Sequence, residues 1–172
     1  MSHLRLIIVL AAALASQSCI APPVAQDAMR EPELREINRV FAQVVTEAHA
    51  DPKITWVSGW EGNTRVNNCE DGSLKGLCWE WADLVYDRIT PVARRVGWDT
   101  VKVTINNGWF SEHHAVAVFN PRVVHKNELL KHPDLPGWVL DAWRHGKAEV
   151  WTLNDWMRTP VIVFQPAAVL EP

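Results

Sequence analysis

A cysteine that follows a glycine turn and opens an apolar-faced run is placed to act as a nucleophile. Gly76-Leu77-Cys78-Trp79-Glu80-Trp81-Ala82-Asp83-Leu84 has that arrangement. On the first turn of a helix, unpaired N–H groups and the positive dipole end favour a thiolate, which should draw its pKa down from about 8.5 toward neutrality. Attack on a carbonyl also needs a proton acceptor and donors for the oxyanion. Downstream, Glu112-His113-His114-Ala115-Val116 offers a base and Trp138-Val139-Leu140-Asp141-Ala142-Trp143 an orienting carboxylate, in the order Cys, His, Asp.

The same residues have blander readings. A lone Cys on an apolar helix is most often core. Cys69 and Cys78 could close a short disulfide loop, which would remove the nucleophile. Glu112, His113, His114 and Asp141 are all plausible zinc ligand types, although no His-x-x-x-His or Cys-x-x-Cys spacing accompanies them; no metal is therefore expected. His125, His132 and His145 fall in polar loops and read as solvated.

The elements that must position these groups follow from periodicity. Leu34, Ile37, Val40, Phe41, Val44, Val45 and Ala48 recur at helical spacing behind Pro32, predicting an amphipathic helix over 32–49. A Cys helix is expected over 77–88, with Trp81, Ala82 and Val85 on the thiol side. Thr90-Pro91 then reads as the cap and first position of another short helix ending near Gly97. Alternation over 101–105 and 113–119 around Asn106-Asn107-Gly108 predicts an antiparallel hairpin. On the second of these strands, His114 shares a face with Val116 and Val118, and His113 with Ala115, Ala117 and Phe119. Residues 137–143 supply a third strand, Thr152 caps a short helix through Met157, and 161–164 is a final strand. The expected architecture is α+β: a Cys-bearing helix packed on an antiparallel sheet that presents His and Asp.

Taken together, Gly-x-Cys-x-acidic-aromatic-Ala-x-Leu, His-Ala-Val opening a strand, and Val-Leu-Asp on another resemble the transglutaminase-like superfamily of papain-fold thiol enzymes over roughly residues 56–143. The interval between His114 and Asp141 is longer than in compact members, with a Pro- and His-containing insertion over 120–136. The resemblance implies a papain-like core with Cys78 as nucleophile, His114 as general base and Asp141 orienting its imidazole. The implied activity is cysteine hydrolysis of amide bonds, or acyl transfer, through a thioester and without a cofactor. An upstream side chain often supplies an oxyanion donor in related enzymes, which points to Trp56 or Trp60.

Ten tryptophans are many for 172 residues. They either fill a small core or line a cleft for an extended peptide or glycan, for which Trp60, Trp109 and Trp138, beside glycines in expected loops, are the candidates. A non-catalytic envelope binding module using that cleft is the alternative to an enzyme.

Residues 1–19 read as an export signal: Arg5, an apolar run from Leu6 to Ala15, then small and polar residues. Ala13-Leu14-Ala15 is a site for ordinary cleavage, whereas Ser16-Gln17-Ser18-Cys19 resembles a bacterial lipoprotein box that would lipidate Cys19 and tether the chain to a membrane. Residues 20–31 read as a tether and 32–172 as one domain, about 140 residues around one core. The expected location is periplasmic or membrane-anchored, with a protein or peptide substrate. A net charge of −3 without a basic run leaves no electrostatic footprint for nucleic acid.

Overall fold

The computed structural model describes residues 31–134, 136–159 and 165–170. The export signal, Cys19, nearly all of the tether and the expected strand over 161–164 lie outside these residues.

The first helix, α1 (Pro32–His49), has the predicted bounds, and its stripe of Leu34, Ile37, Phe41, Val44, Val45 and Ala48 is buried. Burying each large member of that stripe contributes about 1.5–3 kcal/mol. Two short strands, β1 (Thr55–Trp56) and β2 (Leu74–Lys75), pair in parallel around a helix, α2 (Gly59–Asn67), that the apolar pattern does not announce. Only Gly62 of α2 is buried, so the helix carries no apolar stripe to read.

The Cys helix, α3, runs unbroken from Cys78 to Arg95 with Pro91 inside it. The expected break at Thr90-Pro91 is therefore corrected. Proline in a helix interior removes one N–H bond and costs about 3 kcal/mol. Here Ile89, Val92 and Ala93 on the flanking turn are buried, and the Thr90 hydroxyl hydrogen-bonds the Tyr86 carbonyl (2.6 Å) and lies 2.6 Å from Thr100 Oγ1 on the sheet. Tertiary packing outweighs the local penalty.

Strands β3 (Asp99–Ile105), β4 (His113–Phe119), β5 (Gly137–Asp141), β6 (Glu149–Thr152) and β7 (Ala168–Val169) form an antiparallel sheet in the order β6-β5-β4-β3-β7. The protein is thus α+β, with α1 and α3 on one face of the sheet. Val116, Val118, Leu140 and Val150 meet those helices. Ala115, Ala117, Phe119 and Val139 turn the other way, toward Leu129 of a 3-10 helix (Lys126–Lys131) and Leu153 and Trp156 of α4 (Leu153–Met157). As expected, Thr152 caps α4, its hydroxyl accepting from the Asp155 N–H.

Candidate active site

The approach to Cys78 is set by backbone sterics. Gly76 has φ +142, and a Cβ there would lie 2.0 Å from the Val57 carbonyl oxygen. No side chain fits a conformation and an approach of that kind. The Val57 N–H donates to Lys75 (2.8 Å), and the Val57 carbonyl accepts from the Trp81 indole (2.8 Å), so β1 is bound to both the turn and the helix it feeds. Glu80 reaches back from the third helical position to accept from the N–H groups of Gly76 (2.8 Å) and Leu77 (3.0 Å). This clamp fixes the helix start, as a capping carboxylate does. Cys78 is then the first residue of α3 and is 6% exposed.

The thiol lies against the opening of β4. Cys78 Sγ is 3.8 Å from the Glu112 carbonyl oxygen, and the backbone of His114 also hydrogen-bonds to the sulfur. Those two peptide groups flank His113.

The imidazole of His113 is buried, with Nε2 2.6 Å from Asp141 Oδ2. Its ring packs between Trp143 (4.8 Å between centroids) and Trp156 (5.7 Å). Asp141, itself 1% exposed, also accepts from Arg144 Nε (3.0 Å), the Trp156 indole (3.2 Å) and the Trp143 backbone N–H (3.2 Å). One carboxylate thus both accepts from the turn that follows it and holds the imidazole.

The expected pairing of Asp141 with His114 is not the one the fold makes. Val116 opposes Leu140 on β5, which puts Asp141 on the face of Val139, Ala115 and His113. His114 does lie on the side of Val116 and Val118, toward α3, but its Nε2 is bonded to the Glu112 carboxylate. Glu112 also accepts from the Gly108 N–H (2.5 Å), which folds the β3–β4 turn onto the site. Asn106, the one described non-glycine residue with positive φ, anchors that turn through its side-chain bonds to Ser111 (2.8 Å) and the Gln165 N–H (3.0 Å).

The electrostatics reverse one expectation. Burial pushes the Cys78 thiol up to about 11, and the Glu112 and Asp141 charges add to the rise, outweighing the hydrogen bonds from the His114 and Trp79 backbone. The helix start does not win against desolvation. Burial likewise lowers the pKa of His113 against the opposing pull of Asp141, so the ring is neutral at pH 7. Burial acts to raise Asp141, but His113, Arg144 and Trp156 overrule it and hold the carboxyl at about 2. A neutral imidazole that donates from Nε2 to an ionised carboxylate carries its lone pair on Nδ1. His113 Nδ1 is buried and has no hydrogen-bond partner among the described residues. It is one of five buried side-chain polar atoms without a partner among the described residues, and the one that belongs to a titratable base beside the thiol's segment calls for a reason.

No family model, no curated protein and no solved structure matches this chain.

The tryptophan candidates separate. Trp60 stands on α2, not in a loop, 58% exposed, with its ring edge-on to Trp143 at 5.7 Å. Trp109 lies in the β3–β4 turn and is 46% exposed. Trp138 is within β5, opposite Val118 and Thr152, three residues before Asp141, and packs against the helix-side core. Trp56 packs against Trp81 at a tilt of 53°, with 4.5 Å between ring centroids. Cys69 and Cys78 are both free thiols, so the disulfide is not formed. Cys69 donates to Asp71 (2.9 Å) in the turn after α2. His125 caps the 3-10 helix by accepting from the Asn127 N–H, and His132 and His145 are exposed beside Glu128 and Glu149. Among the described residues no three His, Cys, Asp or Glu side chains gather as a metal site, and no helix is long and apolar enough to cross a membrane.

Reading the sequence alone passed over His113, Arg144, Trp143 and Trp156 as members of the site. Trp143 and Arg144 directly follow the Asp141-Ala142 pair, and the doubled histidine itself signals that one of the two must face away from the other.

Proposed function

We propose that this protein is an exported cysteine hydrolase of transglutaminase-like type, cleaving amide bonds through Cys78, His113 and Asp141 on a papain-like core. The observation that supports it most is the unpartnered, buried Nδ1 of His113, whose Nε2 is tied to Asp141 while the Cys78 sulfur lies against the peptides on either side of that histidine. In this reading His113 replaces His114 as the base.

The thiol rests protonated and loses its proton to His113 Nδ1 as the sulfur attacks the amide carbon. Asp141 stabilises the imidazolium. The Cys78 backbone N–H, an orphan donor at the helix start, faces the developing oxyanion. Collapse of the tetrahedral adduct breaks the C–N bond, and the amine leaves with the proton from His113, giving a thioester. Water then gives a proton to His113, attacks the thioester, and returns the thiol and a carboxylic acid. An amine in place of water would make the reaction acyl transfer. The export signal read in residues 1–19 places this chemistry in the cell envelope.

The test is covalent. On exposure to p-nitrophenyl acetate the wild-type protein is expected to accumulate an acetyl group on Cys78, seen by intact mass and peptide mapping, and Cys78→Ala to fold and remain unmodified. An adduct that persists in Cys78→Ala, or a wild-type protein in which other residues acetylate while Cys78 does not, overturns the thiol mechanism.

A further inference from the structure

Large exposed apolar side chains gather at the segments that carry the thiol and the imidazole. Trp79, beside Cys78 on the first turn of α3, is 46% exposed; Trp109 and Phe110, in the turn before Glu112, are 46% and 77% exposed. Trp60 adjoins the site through Trp143, which it meets edge-on and which itself packs on the His113 ring. The turn bearing Trp109 and Phe110 is bound to the Glu112 carboxylate through Gly108, and the Glu112 carbonyl touches the thiol. These rings are partly exposed in a chain that buries Trp81, Trp143, Trp151 and Trp156.

Carboxylates stand beside the Trp109–Phe110 turn and Trp60. Glu112 retains acceptor capacity beyond its bonds to His114 and Gly108, and its side chain is about a third exposed. Glu61 follows Trp60 in the first turn of α2. Arg144, which follows Trp143, is occupied by Asp141 and Thr159, while Lys75 and Arg65 lie on the strand before the Cys78 turn and on the Trp60 helix. Both charges that act on the thiol, from Glu112 and Asp141, are negative.

We propose that Trp79, Trp109 and Phe110, with the Glu112 carboxylate, form a subsite for a cationic side chain of a peptide substrate, lysine or arginine, flanking the amide presented to Cys78. A ring face attracts an ammonium or guanidinium group, and a carboxylate at the rim completes the neutralisation. An acidic peptide meets the negative field of Glu112 instead. The subsite rests on reading Cys78 as the nucleophile only for the placement of the scissile amide; the recognition of the cation is separable from turnover.

Binding is therefore measured in Cys78→Ala, which cannot turn over, by fluorescence anisotropy of labelled, capped Ala-Lys-Ala-Lys-Ala, Ala-Glu-Ala-Glu-Ala and Ala-Gln-Ala-Gln-Ala peptides. The lysine peptide is expected to bind about tenfold or more tighter than the other two, to weaken as salt is raised, and to lose most of that preference in Trp109→Ala and in Glu112→Gln. Equal binding of the three peptides overturns the proposal, as does binding only of an N-acetylglucosamine oligomer in competition with them. A lysine preference in a protein whose wild type forms no thioester leaves the subsite standing and removes the hydrolase; a thioester without the preference does the reverse.

Discussion

His113 and Asp141 meet diagonally across β4 and β5, with Nε2 2.6 Å from Oδ2 and both side chains buried. Four donors converge on the carboxylate, and three of them come from the segment 143–156 that follows it. The imidazole is thereby held by its Nε2 bond and by the Trp143 and Trp156 rings, which pack against it at tilts of 40° and 38°.

From that orientation, His113→Ala should reduce thioester formation by about 10²–10⁴, whereas His114→Ala should retain it to within about tenfold, since His114 acts through Glu112 and the turn. Rates of acetyl transfer from p-nitrophenyl acetate, with circular dichroism as a folding control, decide between them. A larger loss in His114→Ala would return the base to the face of Val116 and Val118.

The pH profile follows from the burial of the base. His113 must be unprotonated to accept the thiol proton, and its pKa is lowered from the ordinary 6.5. Activity should therefore persist below pH 6.5 and fall only as pH drops through the lowered value, the apparent constant belonging to the Cys–His pair. In His113→Ala, alkylation of Cys78 by iodoacetamide should keep rising through alkaline pH, since burial holds the thiol up to about 11. Rapid alkylation of the wild type at pH 5 would show a resting thiolate and contradict this.

Acid should unfold the protein in two stages. His113 and Asp141 both have folded-state pKa values below their unfolded ones, so each contributes stability that is complete above its unfolded pKa and lost as pH falls. The His113 contribution declines from pH 6.5 downward; that of Asp141, whose pKa drops from 3.8 to about 2, is worth about 2 kcal/mol and is lost between those values. Urea unfolding at pH 7, 5 and 3 checks the order. In Asp141→Asn the last loss should vanish, with stability lower by about 3–5 kcal/mol because Arg144 is left without its anion.

Gly76→Ala tests the turn that delivers the thiol. A methyl group 2.0 Å from the Val57 carbonyl, at φ +142, forces the turn or β1 to move and costs at least about 1–3 kcal/mol. Thermal unfolding should show the loss, and acetyl transfer should fall with it, because Gly76 and Leu77 also hold the Glu80 clamp. Gly72→Ala, with a positive φ but open space around it, should cost less.

Local patterning determined α1, the β3–β4 hairpin and the β5 strand, because each buries one face against a common core and a face repeats at 3.6 or 2 residues, and the cap residue Thr152 marked α4. The glycine turn into the Cys helix was equally legible, since the steric freedom of Gly76 is a local property, whereas the Glu80 clamp emerged only with the structure. So was the assignment of His114 to the helix side of its strand. The partner of Asp141 was not, because it depends on the phase between two strands separated by a 17-residue connection, and only the Val116–Leu140 register sets that phase. The continuity of α3 through Pro91 was hidden for a similar reason, its cost being offset by contacts with a sheet remote in sequence. The direction of the Cys78 pKa was decided by burial, which the helix start cannot report: a dipole is read from one segment, but desolvation is the work of every segment packed around the sulfur.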